Sequence, residues 1–248
     1  MKLIRVENYE EMSSKAAQLV EQQIRDNPRS VLGLATGSTP LGLYEKLIEG
    51  VRERGISYRD VQTFNLDEYR GLSGEHPNSY RHFMNDKLFQ SIDIQLKNTY
   101  VPNGKALPVE EECRRYEALI DELGPPHLQI LGMGTNGHIG FNEPGTPETS
   151  RTHCVKLEQS TRNSNARFFS DRDEVPTHAI TMGIESILKS EKVLLLASGK
   201  KKAQAVKRFL EGHVSKDFPA SFLWKHSDVT LIVDRDAYSL VAAEAEEE

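Results

Sequence analysis

Compact apolar runs alternate along this chain with longer stretches in which apolar residues return every three or four positions. Residues 3–6, 31–35, 61–66, 100–101, 127–131, 179–182, 192–197 and 229–233 are the compact runs and predict strands. Between them lie helical patterns. From Tyr9 to about Asp26, Met12, Ala16, Leu19, Val20 and Ile24 share one face, and Asn27-Pro28 stops the helix. From Pro40 to about Arg54, Leu41, Tyr44, Leu47, Ile48 and Val51 do the same, with Thr39 suited to the N-cap and Pro40 to the first helical position. Further helices are expected over 79–89, over Val109–Leu123 with Gly124-Pro-Pro126 as terminator, and from the lysines at 200–202 to Leu210.

Strands alternating with helices predict an α/β protein: a Rossmann-like open, mostly parallel sheet with helices on both faces. The 248 residues show no repeat and no linker, so one domain spanning 1–248 is expected. One stretch breaks the alternation. Residues 145–178 are polar and aperiodic, carry Arg151, Arg162, Arg167 and Arg172, and predict only a short helix near 160–168. That profile suits a flap over a site, a lid over roughly 145–180, more than a core layer. The small acidic tail 242–248 is expected to fray without function.

Composition narrows the ligand. A net charge of −6 and a pI near 5.8 argue against an electrostatic grip on nucleic acid or on an anionic membrane. Any anion must be held by a local positive site. Cys113 and Cys154 are too few for a disulfide framework or a cysteine zinc site. The chain opens on a strand pattern rather than a signal peptide, and no apolar run approaches membrane-spanning length, so a cytoplasmic protein is expected.

In open parallel sheets ligands bind outside the carboxyl ends of the strands. The loops leaving strands toward that edge, 36–39, 67–69, 132–143 and 198–202, are also the richest in chemically capable residues. Gly132, Gly134 and Gly137 spell a G-x-G-x-x-G pattern, yet the following residues to Pro147 hold two glycines and two prolines. No helix propagates there to receive a pyrophosphate, which excludes the dinucleotide reading. The stretch instead presents His138 and Glu143 to a ligand; a structural hydrogen-bonded pair is the plainer alternative. Asp67, directly after a strand, could cap a turn or move a proton between adjacent carbons. Thr36-Gly-Ser-Thr39 and Ser198-Gly-Lys-Lys-Lys202 each offer free amides at a helix start, the second with cations. The latter is not a P-loop, because Leu194 stands where the first glycine is required. Together they favour a sugar phosphate over well-capped turns. The other histidines (76, 82, 127, 153, 178, 213 and 226) show no metal-ligand spacing, and no metal is expected.

Asn65-Leu-Asp-Glu-Tyr69, Gly137-His-Ile-Gly-Phe-Asn-Glu-Pro144 and Leu34-Ala-Thr-Gly-Ser-Thr-Pro40 resemble the glucosamine-6-phosphate deaminase family, over nearly the whole chain. The resemblance implies a cofactor-independent and metal-independent hydrolase of amino-sugar catabolism. It would convert glucosamine 6-phosphate and water to fructose 6-phosphate and ammonia. It makes Asp67 the base of enolisation and His138 the ring-opening acid/base, supported by Asn136 and Glu143. It places the phosphate against Ser38, Thr39, Arg167 and Lys202, with Arg167 in a lid. Two departures stand out. Many relatives have Asp where this chain has Asn136, and the basic residues that would follow Ser150-Arg-Thr152 in members activated by an N-acetylated sugar phosphate are absent, so no such activation is expected. A 6-phosphogluconolactonase-like enzyme is the nearest alternative, and a non-catalytic sugar-phosphate sensor the alternative of another class. The sequence is compatible with a monomer and with a homo-oligomer.

Overall fold

The computed structural model describes residues 1–166, 169, 171 and 174–245. Strands β1 (Lys2–Val6), β2 (Val31–Leu34), β3 (Gln62–Asn65), β5 (Thr99–Tyr100), β6 (Leu128–Gly132), β9 (Val193–Ala197) and β10 (Val229–Asp234) form one sheet in the order β1-β10-β9-β6-β2-β3-β5. Every pairing in it is parallel. From β2 the chain builds outward through β3 and β5, then returns to the other side of β2 with β6 and continues through β9 to β10. The loops after β2 and β6 therefore leave in opposite directions, and a crevice opens at that switch point.

Alternation along the central strands sets the two faces. Val31 and Ala35 point into one core, Leu32 and Leu34 into the other, and Val193, Leu195 and Ala197 alternate likewise with Leu194 and Leu196. Helices α1 (Tyr9–Asp26), α2 (Leu41–Glu53) and α3 (Tyr80–Lys87) cover the Leu32 face with Met12, Val20, Leu43, Leu47 and Met84. The Val31 face receives α4 (Val109–Leu123), α6 (Ile184–Leu188), α7 (Ala203–Leu210) and α8 (Arg235–Ala245) through Tyr116, Ile187, Phe209 and Ala237. Burying each such side chain contributes about 1.5–3 kcal/mol before ordering costs, which is why these strands read as unbroken apolar runs.

Three expectations are corrected here. Residues 67–69 are not a loop: Asp67–Tyr69 is a short strand, β4, and 179–182 does not join the parallel sheet. Instead β4 pairs antiparallel with β8 (His178–Thr181), which pairs antiparallel with β7 (His153–Lys156) in a second, three-stranded sheet. Leu66 is the junction: its N–H donates to Leu34 (3.1 Å) in the first sheet, and its carbonyl accepts from Met182 (2.7 Å) in the second. The expected flap accordingly contains a strand, β7, beside its expected short helix, α5 (Gln159–Asn165), and its Leu157 packs with Tyr69, Phe141 and Ala179. Of the acidic tail, residues 242–245 continue α8, and 246–248 lie outside the described residues. Among the described residues no helix is long and apolar enough to cross a membrane.

Candidate active site

The glycine-rich loop leaves β6 and closes on itself, Gly137 donating to Gly134 (3.0 Å) and Gly134 to the carbonyl of His138 (2.9 Å). No helix opens there. A side chain at Gly134 would begin 2.3 Å from the imidazole of His138, so glycine is what lets the ring lie against the backbone. The far end of the loop is pinned by Asn142, buried, whose amide donates to Ile139 (2.9 Å) and Met182 (2.8 Å). The loop is thus tied to the end of β8.

Within this frame the side chains of Glu143, Asn136 and His138 form a directed chain. Asn136 Nδ2 donates to Glu143 Oε2 (2.7 Å), and Asn136 Oδ1 lies 2.7 Å from His138 Nδ1. An ionised carboxylate only accepts, so it takes the amide NH2 and turns the amide oxygen toward the ring. That orientation calls for a proton on Nδ1, so that in the neutral ring the lone pair is on Nε2, where a substrate can meet it. The direct His138–Glu143 approach, 3.5 Å, is longer than a good hydrogen bond, so the amide is the link. Burial alone would raise the Glu143 carboxyl; the neighbouring His138, with the donors of Asn136 and Thr161, holds it below the usual glutamate range.

Asp67 is the opposite case. It sits in β4 opposite Thr181, is 6% exposed, and approaches the loop: its Oδ2 is 3.5 Å from where a side chain at Gly140 would begin. Burial, then the adjacent charge of Glu68, pushes its carboxyl up to about 8. Asp67 does not cap the following helix. Glu68 does, accepting from the amides of Tyr80 (2.9 Å) and Arg81 (3.0 Å) at the start of α3.

On the other side of the switch point lie Ser38 and Thr39. Thr39 is not the N-cap of α2, which begins at Leu41 after Pro40 without a side-chain cap. Tyr9 of α1 has taken that job: its hydroxyl accepts from Gly42 (2.8 Å), with the Ser38 and Thr39 carbonyls 3.0 and 3.1 Å away. The Thr39 side chain instead faces Gly132 across the crevice, its hydroxyl 3.5 Å from the Cβ position there. Lys202 closes a 3-10 turn (Lys200–Lys202) leading into α7, a turn held by Gly199 donating to Asp234 (3.0 Å). Lys202 is half-buried, burial pulls its ammonium below the usual lysine range, and no carboxylate among the described residues pairs with it. Arg167 lies outside the described residues. Among the described residues no cluster of histidine, cysteine or carboxylates has the arrangement of a metal site.

The structure therefore brings Asp67, Asn136, His138 and Glu143 to one end of the switch-point crevice. Sequence reasoning missed Tyr9, Glu68 and Thr161, whose hydroxyl donates to Glu143 Oε1 (2.9 Å). Each acts through side-chain hydrogen bonds to a distant segment, which leave no periodic signal.

Fold and site together define a doubly wound α/β protein with an imidazole–amide–carboxylate chain and a protonatable buried aspartate at its switch point. The sequence profile of the glucosamine-6-phosphate isomerases/6-phosphogluconolactonase family matches residues 6–232, and the chain belongs to that family. It is 58% identical to a glucosamine-6-phosphate deaminase of Geobacillus sp. (strain WCH70), covering 98% of this chain and 97% of the relative. With glucosamine-6-phosphate deaminase 1 of Bacillus subtilis (strain 168) it shares 53% identity over 97% of this chain and 99% of the relative. A solved structure of a monomeric glucosamine-6-phosphate deaminase superposes with a TM-score of 0.95 at 53% identity, covering 97% of this chain and all (100%) of that one. A 6-phosphogluconolactonase from Trypanosoma brucei shares the fold, with a TM-score of 0.77 at 17% identity over 97% of this chain and 98% of that one.

Proposed function

We propose that this protein converts glucosamine 6-phosphate and water to fructose 6-phosphate and ammonia in cytoplasmic amino-sugar catabolism. The observation that carries the reading is the pairing of a buried aspartate of raised proton affinity with a histidine whose Nε2 is left free by the Asn136–Glu143 link. Relatives above 50% identity with that activity in their names support it.

His138 Nε2 takes the proton of the anomeric hydroxyl and returns one to the ring oxygen, opening the pyranose. Asp67, once ionised, removes the C2 proton of the open sugar and delivers it to C1. The double bond moves to C2–N, water adds at C2, and ammonia leaves to give the ketone. The net consumption of water at a C–N bond is what a hydrolase label would describe. Each positioned proton transfer is worth ~10²–10⁴-fold in rate. Ser38 and Thr39, Lys202 and, on the strength of the resemblance, Arg167 would clamp the phosphate, which makes these transfers intramolecular. A half-buried lysine with no carboxylate partner among the described residues suits a dianionic ligand. Arg151, within the Ser150-Arg-Thr152 element, is already committed to Glu117 and Asp121. N-acetylglucosamine 6-phosphate should therefore act as a competitor only.

Ammonia release from glucosamine 6-phosphate by the purified protein, in EDTA, tests the reading. Turnover should persist with chelator and collapse on unphosphorylated glucosamine. Lys202→Ala should weaken substrate binding by ~1.5–3 kcal/mol, the worth of a hydrogen bond to a charged group. Equal action on both sugars would remove the phosphate assignment, and rapid hydrolysis of 6-phosphogluconolactone without deamination would replace the reaction.

A further inference from the structure

Glu143 divides its two oxygens between separate parts of the chain. Oε2 receives the Asn136 amide of its own loop (2.7 Å), while Oε1 receives the hydroxyl of Thr161 from α5 (2.9 Å). Its backbone is fixed independently, the carbonyl accepting from the amide (3.0 Å) and hydroxyl (2.7 Å) of Thr146. These backbone contacts leave the side-chain torsions open, rotation of the carboxylate plane among them. A donor on one oxygen leaves that twist open, whereas donors on both oxygens fix the plane. The plane in turn decides where Asn136 points, and Asn136 decides how the imidazole is held. Segment α5 is anchored away from the loop through Arg162 to the carbonyl of Val175 (3.1 Å), and Leu157, two residues before it, donates to that of Thr177 (2.9 Å).

We propose that Thr161 is a positioning residue of the acid–base chain: it orients the Glu143 carboxylate from α5 and so makes the alignment of His138 depend on the seating of that segment over the site. The assignment rests on the deaminase reading for its kinetic consequence, but the hydrogen bond it invokes does not. The groups facing Glu143 are few. His138 is the titratable one on its own loop, Arg162 on α5 is turned to a carbonyl, and Lys216 meets the loop through its backbone at Gly145 (2.8 Å). Loss of the Thr161 hydroxyl would thus remove from Glu143 Oε1 the donor that α5 supplies to it.

The test compares Thr161→Val, which keeps the shape and deletes the hydroxyl, with Thr161→Ser, which keeps the hydroxyl and deletes the methyl. Thr161→Val should lower kcat roughly tenfold, the rate equivalent of one hydrogen bond to a charged group, while KM changes little. Thr161→Ser should restore most of it. A packing role predicts the reverse order, Val tolerated and Ser impaired, and that result overturns the proposal. Independently of any turnover, the side-chain carbonyl of Glu143 can be titrated by carbon-13 NMR, assigned against Glu143→Gln. Its midpoint should move to higher pH in Thr161→Val and return in Thr161→Ser, because a donor to the ionised form has been lost. An unmoved midpoint overturns the proposal even if the parent proves to have another activity. An inactive parent with the expected midpoint shift would strike the deaminase reading alone and leave the positioning role standing.

Discussion

Asp67 and Glu143 are both largely buried carboxylates at one crevice, yet their surroundings push them apart. Glu143 is surrounded by donors and an imidazole, which hold it in the charged form. Asp67 has a second carboxylate beside it and is pushed up to about 8. The difference separates two uses of a buried acid. Donors on both oxygens turn a carboxylate into a fixed reference for orienting other groups. Burial without them stores proton affinity, which is what a base of carbon acids needs near neutral pH.

The comparison breaks most visibly at Asp67. Asp67→Asn should cut kcat by ~10²–10⁴-fold, the usual worth of a positioned proton transfer. In the parent, kcat/KM should rise with pH toward about 8 as Asp67 loses its proton. A profile already flat from pH 6 upward would show that another group is the base.

A steric change isolates alignment from charge. In Gly134→Ala the new methyl falls 2.3 Å from the His138 ring, which must move. Displacing a reacting group by about 1 Å can cost ~10²-fold, so kcat should fall on that order while Tm stays near the parent value. Retained activity would mean that the ring position seen here is not the productive one.

Smaller in size, but sharper as a contrast, is the effect on stability. Asp67 has its folded value above the unfolded ~3.9, so the stability it contributes is complete below that pH and is lost as pH rises through about 8. Asp67→Asn should therefore gain Tm relative to the parent across that window, by several degrees at its upper end. Glu143 has the reverse sign: held below the unfolded ~4.3, it contributes above that pH and loses the contribution as pH falls through its folded value. Glu143→Gln should lose Tm at pH 8 and approach the parent in acid. Thermal melts at pH 4, 6 and 8 check both, and two variants shifting the same way at pH 8 would erase the distinction drawn between the two acids.

Much of this molecule was determined by its sequence alone. The spans of α1 and α4, the apolar strands of the large sheet and the crowding of capable residues at its carboxyl edge are written in local periodicity, because each segment's burial repeats at its own helical or extended period. The same reading excluded a pyrophosphate helix after Gly137, from residues that cannot propagate one.

Other features were decided only by the tertiary structure. Asp67–Tyr69 is too short to show a period, and it becomes a strand because β8, more than a hundred residues later, supplies the antiparallel partner. Its raised proton affinity is likewise a consequence of burial, which no local pattern reports. Thr39 had the right chemistry for a cap, but Tyr9 reached the amide first from another helix. The direction of the Asn136 amide, and with it the free nitrogen of His138, follows from a carboxylate seven residues on and from a hydroxyl on α5. Periodicity records which face of a segment is buried; a single hydrogen bond between distant side chains exists only once the fold has brought them within reach.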